Sequence, residues 1–569
     1  MVLFKNWIRP SLAFLTAVFL FILIGILSID DFLLGLANKQ IVLIFLLIIL
    51  TSGIQKNLGK EFFYKIFSKR LSSSQFRIRM MVLVSGLSSV LNNTPVVAFM
   101  IPFVKDWADS NGYSPSKFLI PLSFVTILGG MVTLIGTSTN LVLNGLIIQS
   151  GLDPLNFQDF LYLGLIVTLI GLAYLSIFSE KLLPNNKGSK EEIIGHLNEY
   201  LVETKVNKSS PLIGKTIEEA GLRHLKELFL VEIKRGNRSI TAVSSDRLIN
   251  AEDILFFAGN TKSILNLINE KNGLELPEES QIYSNRFSAL SEAVIPSGSD
   301  LVGQTIKESG FRDRFKASII SVHRKGEKVS GNLGQIKLMA GDLILLMGSR
   351  DFEINISNRE IILLSKTGEI SGKLTFNKIL PSILSGAILL LGVFGIIDLF
   401  LAAFVGIILM MILNVLSIQN IKNAVDLDLL VILISALTIG IAIQSSGTAS
   451  YVVKNMNLLL IGASPLILIS VLYLITLGLT SLITNAAAVS IMFPIAYEMG
   501  LQAGLPLTPF FIAIAFAASA DFMTPIGYQT NLMVMGPGNY KFKDYTKIGF
   551  PLTILYSFAT IVFINYYYL

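Results

Sequence analysis

The chain has 569 residues, 52% hydrophobic and only 15% charged, with a net charge of +6 and a mean hydropathy of +0.66. A soluble chain carries about 25% charged residues, so this composition belongs to a polytopic membrane protein. There is no cysteine, which excludes disulfides, thiol catalysis and cysteine metal sites. The three histidines (His196, His224, His323) share one polar region, which excludes an intramembrane histidine relay.

The first apolar run, Ser11–Ser28, follows Lys5 and Arg9 and could pass for a signal peptide. No small-residue cleavage site follows, and Asp30 and Asp31 lead into another apolar run, Ile41–Ser52. The segment therefore reads as a retained span. Lys56, Lys60, Lys65, Lys69, Arg70, Arg77 and Arg79 come next, opposed only by Glu61, and the positive-inside rule places that loop and the N-terminus in the cytoplasm. Lys541, Lys543 and Lys547, before the last run Ile548–Ile564, agree. They leave the C-terminal Asn-Tyr-Tyr-Tyr at the outer interface, where tyrosine is enriched. The balance of +6 thus serves orientation and does not point to nucleic acid.

Two polar interruptions follow in the first half. Leu91-Asn92-Asn93-Thr94-Pro95 leads to Pro102, and Gly136-Thr137-Ser138-Thr139-Asn140 lies further on, before the run Leu161–Phe178. Both recur in the second half, after the run Ile379–Ile397. Ile483-Thr484-Asn485-Ala486 leads to Pro494, 392 positions after its counterpart, and Gly527-Tyr528-Gln529-Thr530-Asn531 follows. Polar, Gly- and Pro-marked breaks at matching places in two hydrophobic halves point to a transporter's binding site. Asn, Thr and Pro can also act only as interhelical glue, but two tips with two matching breaks argue against that. Gly-Tyr-Gln resembles part of a potassium filter, yet it occurs once and lacks the second glycine.

Between the halves lies a polar insert, from about 180 to 378, with a tandem repeat of its own. Leu212–Ile217 is echoed by Leu301–Ile306, and the same offset of 89 relates Gly221 to Gly310, Arg235 to Arg324, Asp253 to Asp342 and Gly259 to Gly348. Each unit reads as a short strand, a turn-helix, alternating strands such as Phe229–Lys234 and Ser318–His323, and a closing strand. This pattern resembles the TrkA-C (RCK C-terminal) domain, an α+β module whose family implies ligand sensing or regulation. No Gly-x-Gly-x-x-Gly fingerprint occurs there, so a nicotinamide cofactor is not expected. The basic residues Lys234, Arg235, Arg238, His323, Arg324 and Lys325 offer an anionic-ligand site between the units or, more simply, a solvated surface.

Leu27-Ser28-Ile29 recurs as Leu416-Ser417-Ile418 and Gln55 as Gln444, each 389 apart. Ile379–Ile397 has no counterpart before Ser11. Two spans then precede the first hairpin and three the second, so the copies enter the bilayer from opposite sides. The first hairpin (about Met80–Trp107) enters from the cytoplasm and the second (about Pro465–Gly500) from outside. Such breaks survive in lipid only where they line a protected cavity. Helix N-termini at the tips suit an anion, while carbonyl, hydroxyl and amide oxygens suit sodium.

The residues at tips and breaks resemble those of the divalent anion–sodium symporter family (solute carrier family 13), in the sulfate-transporter-like branch with two inserted TrkA-C domains. The resemblance implies an inverted-repeat helical transporter fold with two re-entrant hairpins, two broken helices and a cytoplasmic α+β insert. Its parts would be a first transmembrane repeat (1–180), TrkA-C domains at 190–275 and 280–366, and a second transmembrane repeat (377–569). It implies sodium sites at Ser88, Asn92, Asn93 and Gly136, and at Thr480, Thr484, Asn485 and Gly527. Substrate contacts fall at Asn93, Thr94, Thr137, Ser138, Asn485, Ala486, Tyr528 and Gln529, with Asn140 and Asn531 supporting the loops. Both tips lack the family's serine, Ala486 replaces a threonine, and Thr-Ser-Thr and Tyr-Gln-Thr replace Thr-Pro-Pro.

The expectation is a sodium-coupled symporter importing a divalent oxyanion, sulfate, as a homodimer with elevator-type motion. It would sit in the cell membrane, without a cofactor and with an unidentified ligand at the insert. The alternatives are a dicarboxylate symporter, a regulated channel and a cation/proton antiporter or arsenite exporter. An enzyme is not expected, because no nucleophile–base set or phosphate loop is present. Asp521, 391 positions after Gly130, is an intramembrane acid. It either couples transport to a proton or an extra cation, or sits in a wet vestibule or on a backbone donor. Asp398, Asp426 and Glu498 read as interfacial.

Overall fold

The computed structural model describes residues 10–67, 71–186, 201–277 (apart from 224, 226–227, 237, 242, 260–262 and 272), 290–364 (apart from 297, 325–326, 330 and 349–359), 376–424, 427–459 and 462–569. Lys5, Arg9, Lys69, Arg70, His196, His224, Lys325 and Asp426 lie outside them, as do the side chains of Lys56, Lys60, Glu61 and Lys65.

Two sets of apolar helices flank two antiparallel sheets. Among the described residues, three helices are long and apolar enough to cross a membrane, Ile29–Ile54, Phe157–Leu182 and Phe542–Tyr567. A fourth span arises if Leu430–Ser445 and Thr448–Met456, bent by 67°, count as one. Large apolar side chains such as Ile412 (71% exposed) and Phe558 (69%) point outward, as lipid contact requires and water would not favour.

The helices repeat between the halves. Pro10–Leu23 corresponds to Leu399–Ile412, and Ile29–Leu36 to Ile418–Ala424, at the expected spacing of 389. Phe376–Val393 precedes the second set. The copies diverge where Lys39–Ile66 runs as one helix while its counterpart breaks at Gly447, whose φ of +71° ends the helix Leu427–Ser445 before Thr448–Leu459 begins.

Each half then forms a helical hairpin and a broken helix. The first hairpin pairs Ser73–Ser88 with Asn93–Ser110, starting earlier than Met80, and the second pairs Pro465–Thr480 with Asn485–Ala503. The first broken helix comprises Leu119–Gly130 and Ser138–Gln149, and the second Thr508–Ser519 and Gln529–Met535. At 1.5 Å per residue, the 12-residue segments Leu119–Gly130 and Thr508–Ser519 reach about 18 Å, roughly half of a bilayer core of about 30 Å. Both are almost wholly buried, so they stop inside protein and not in lipid.

The insert's two sheets have one topology. Strands β1 (Leu201–Val206), β2 (Leu228–Arg235), β3 (Arg238–Thr241), β4 (Ile254–Gly259) and β5 (Leu274–Glu275) are ordered β3-β2-β4-β1-β5. Strands β6 (Leu290–Val294), β7 (Ala317–Arg324), β8 (Glu327–Lys328), β9 (Leu343–Gly348) and β10 (Ile362–Leu363) repeat that order, 89 residues on. Even the bulges coincide, between Leu230 and Glu232 and between Ile319 and Ser321. The expected turn-helix is a run of turns ending in the five-residue helix Phe311–Phe315 in the second unit, while its counterpart in the first unit lies partly outside the described residues. Neither unit closes at the Asp-marked strand, since β5 and β10 follow it.

The matched charges of the insert are structural. Arg235 donates Nε and Nη2 to the Asp253 carboxylate, both at 2.8 Å, and Arg324 does the same to Asp342 at 2.7 and 2.8 Å. These bidentate bonds hold both guanidiniums above their ordinary range and occupy them. Burial still pushes the Asp342 carboxyl up. Arg312 joins the units, donating to Val243 O and Leu230 O at 2.7 Å each and lying 4.4 Å from the Phe229 ring centre.

Candidate functional site

Each hairpin tip is tied to the broken helix of its own half by one pattern. Ser88 Oγ reaches Asn93 Oδ1 and, at 2.8 Å, Thr126 O. Thr480 Oγ1 reaches Asn485 Oδ1 at 2.9 Å and Ala518 O at 2.6 Å. All three pairs, Ser88/Thr480, Asn93/Asn485 and Thr126/Ala518, stand 392 apart. A hydroxyl has one hydrogen, so each buried cluster gathers three oxygens around a single donor. A hard cation is the partner that suits such a set.

The breaks are braced from within. Asn140 Nδ2 donates to Thr133 O at 3.2 Å, and Asn531 Nδ2 to Thr524 O at 3.1 Å and Asp521 O at 2.8 Å. Gly136 N donates to Thr133 Oγ1 and Gly527 N to Thr524 Oγ1. Ser123 Oγ joins the two broken helices through Thr530 Oγ1 (2.8 Å) and Asn531 Oδ1 (2.7 Å).

The halves meet at the first tip. Asn93 Nδ2 donates to the Tyr528 hydroxyl and Thr94 Oγ1 to Gln529 Oε1 at 3.1 Å, while Thr137 Oγ1 donates to Thr139 Oγ1 at 3.5 Å. Four of the expected contact residues, Asn93, Thr94, Tyr528 and Gln529, are thereby one group. Among the described residues no hydrogen bond joins Ser138, Asn485 or Ala486 to it. The helix after the second tip, Asn485–Ala503, packs on Ser138–Gln149, whose first residue follows Thr137. Ala486 contributes only a buried methyl group.

Other polar groups at the tips and breaks are left over. Asn92, Thr137 and Thr484 start their helices in extended conformation, but none caps its helix with a side-chain hydrogen bond. Ser28 and Ser72, by contrast, close capping boxes. Three first turns, after Asn92, Thr137 and Thr484, therefore present N–H groups that their own N-cap side chains do not satisfy. Among the described residues, Thr484 Oγ1, Asn485 Nδ2 and Asp521 Oδ2 are buried with no hydrogen-bond partner. The asymmetry at the asparagines has a steric cause. Tyr528 reaches Asn93, whereas the matching position 391 residues earlier carries the shorter Thr137. An unsatisfied buried polar group costs about 1–3 kcal/mol.

Tyr528→Phe should recreate that orphan at Asn93. We expect a loss of about 1–3 kcal/mol in stability, read by denaturant melts of the detergent-solubilised protein. An unchanged midpoint would mean that Asn93 finds another acceptor.

Thr133 and Thr524 were legible only as another pair 391 apart. The carbonyls of Thr126 and Ala518 carry no sequence signal, because any residue supplies one.

Comparison with known proteins places the chain in a family. A family model described as a citrate transporter matches residues 1–505 and, separately, 389–569. A Chlamydomonas reinhardtii protein named for a response to sulfur deprivation is 33% identical over 95% of each chain. An uncharacterized transporter of Synechocystis is 31% identical, over 96% of this chain and 92% of that one. Sodium/sulfate cotransporter 2 of Chlamydomonas reinhardtii is 27% identical over 65% of this chain and 44% of its own length. The chain belongs to the citrate transporter family: it is a multi-pass membrane transporter and not an enzyme.

Proposed function

We propose that this transporter is a sodium-coupled symporter importing a divalent oxyanion, sulfate. The observation that carries the reading is the matched pair of oxygen clusters, Ser88–Asn93–Thr126 O and Thr480–Asn485–Ala518 O, lying beside uncapped helix N-termini. The clusters suit two sodium ions. The N–H groups, with Asn485 Nδ2, suit the anion between them. Thr94, Thr137, Ser138 and Gln529 supply further polar contacts, and Asn140 and Asn531 hold the breaks in shape. A large Tyr528 and a methyl group at Ala486 leave a site suited to a compact tetrahedral dianion. Two relatives named for sulfate cotransport and for sulfur deprivation point the same way.

In this reading the hairpins are re-entrant and oppositely inserted, and the hairpin-bearing parts move past a dimeric scaffold. The N-terminus and the insert, of TrkA-C type, face the cytoplasm, where the insert senses a regulatory ligand. The contact of Lys541 with Glu327, at 3.8 Å, supports placing that loop and the insert on one side. The family description favours a second reading, a carboxylate substrate.

Proteoliposome uptake separates them. We expect labelled sulfate to accumulate against its gradient when sodium is outside, and to be displaced by excess unlabelled sulfate but not by succinate or citrate. Equal uptake in choline would remove sodium coupling, and stronger competition by citrate would transfer the assignment to the carboxylate.

A further inference from the structure

The two tips differ at one position that bears charge. Gly130 in the first half corresponds to Asp521 in the second. Beside Gly136 the space is bounded by backbone, since an added Cβ would lie 2.5 Å from Gly130 O and 2.8 Å from Ser88 O. Beside Gly527 the matching space has Thr480 O at 2.9 Å, and the Asp521 carboxylate lies directly against it.

Asp521 is 1% exposed. Its Oδ1 accepts from Thr524 Oγ1 at 3.2 Å, while Oδ2 has no hydrogen-bond partner among the described residues. Among the described residues no lysine or arginine pairs with it. A bare carboxylate oxygen in a dry interior is strongly disfavoured unless something positive meets it. The space beside Gly527 that the carboxylate reaches is also bounded by Thr480 O, the carbonyl of the residue whose hydroxyl gathers Asn485 Oδ1 and Ala518 O in the second cluster. Hard monovalent cations take oxygen ligands of these kinds.

We propose that Asp521 is a direct carboxylate ligand of sodium at the second tip, together with Thr480, Asn485 and the turn at Gly527. The first tip, with Gly130, holds its cation through neutral oxygens alone. The inference rests on the cation-coupled reading above and deepens it, because it makes the two sites unequal. The charged site binds sodium more tightly and fills first. The neutral site then sets the concentration at which uptake saturates.

The test is thermal melting of the purified full-length protein against sodium chloride, at constant ionic strength with choline chloride and without sulfate. Sodium should stabilise the wild type with a low midpoint. Asp521→Asn should raise that midpoint at least tenfold, while Ser88→Ala leaves the low-midpoint phase in place. If Asp521→Asn aggregates, Asp521→Ser serves the same purpose. An unchanged midpoint in the variant, or no response of the wild type to sodium, overturns the proposal. Uptake distinguishes the two claims. Sodium-driven sulfate accumulation with an unaltered midpoint in Asp521→Asn sinks the ligand and spares the transport reading. Sodium stabilisation lost in Asp521→Asn, without sulfate accumulation by the wild type, does the reverse.

Discussion

Lys105→Met should destabilise the protein by about 3–5 kcal/mol, far more than a surface lysine would. Lys105 lies near the end of the first hairpin, away from its tip, and its ammonium meets Glu292 of β6 in the insert. The two side chains are 3% and 2% exposed. Removing one partner leaves the other charged in a dry interface, which is where the cost arises. The double variant Lys105→Met with Glu292→Leu removes both charges and should recover most of the loss. Melting of the three variants in detergent measures this cycle. Equal destabilisation by the single and double variants would show that packing, and not the charge pair, holds the interface.

This contact fixes what the insert is attached to. Val294, Leu343, Ile362 and Leu364 of its second unit belong to the same buried cluster as the membrane helices. Leu343 lies against Gly536, just beyond the second broken helix, where a Cβ would come within 3.0 Å of it. The second unit thus grips the first hairpin and the end of the second broken helix, the two elements that meet at Asn93 and Tyr528. The second unit is joined to these two elements through packed side chains and the Lys105–Glu292 pair.

Much of this was readable in advance because the chain states it twice. The 392-residue spacing of the tips and the 89-residue spacing of the insert units each mark positions where the same local chemistry is needed again. The hairpin pattern was visible because polar residues in an apolar run are costly and therefore conspicuous. Lys105 and Glu292 were not conspicuous, since they are 187 positions apart and each looks like an ordinary charge at the end of an element. Arg235 and Arg324 were visible as repeats but not as partners of Asp253 and Asp342, and their charge invited an anion-site reading. The bend at Gly447 was hidden because its counterpart in the first half stays straight. The contact between Asp521 and Gly527 depends on how a seven-residue turn folds back, which no periodicity reports.

Gly136→Ala and Gly527→Ala should each cut sodium-driven uptake by about 100-fold or more, the scale expected when reacting or binding groups are displaced by about an ångström. At Gly136 the new methyl would stand 2.5 Å from Gly130 O and 2.8 Å from both Gly130 Cα and Ser88 O, all backbone atoms that cannot rotate away. The break would have to move off the first tip, opening the Ser88–Asn93–Thr126 cluster. At Gly527 the methyl would overlap the Asp521 carboxylate and displace it. The contrast lies in the hairpins themselves. Gly86 and Gly478 are also 392 apart, are helical and exposed, and have nothing within 4 Å of an added Cβ. Alanine there gains helix propensity, up to about 1 kcal/mol, and should leave uptake at the wild-type rate. If the four variants, matched for expression and monodispersity, transported equally well, the breaks would not be closely fitted to the tips, and the paired oxygen clusters would lose their claim to be the cation sites.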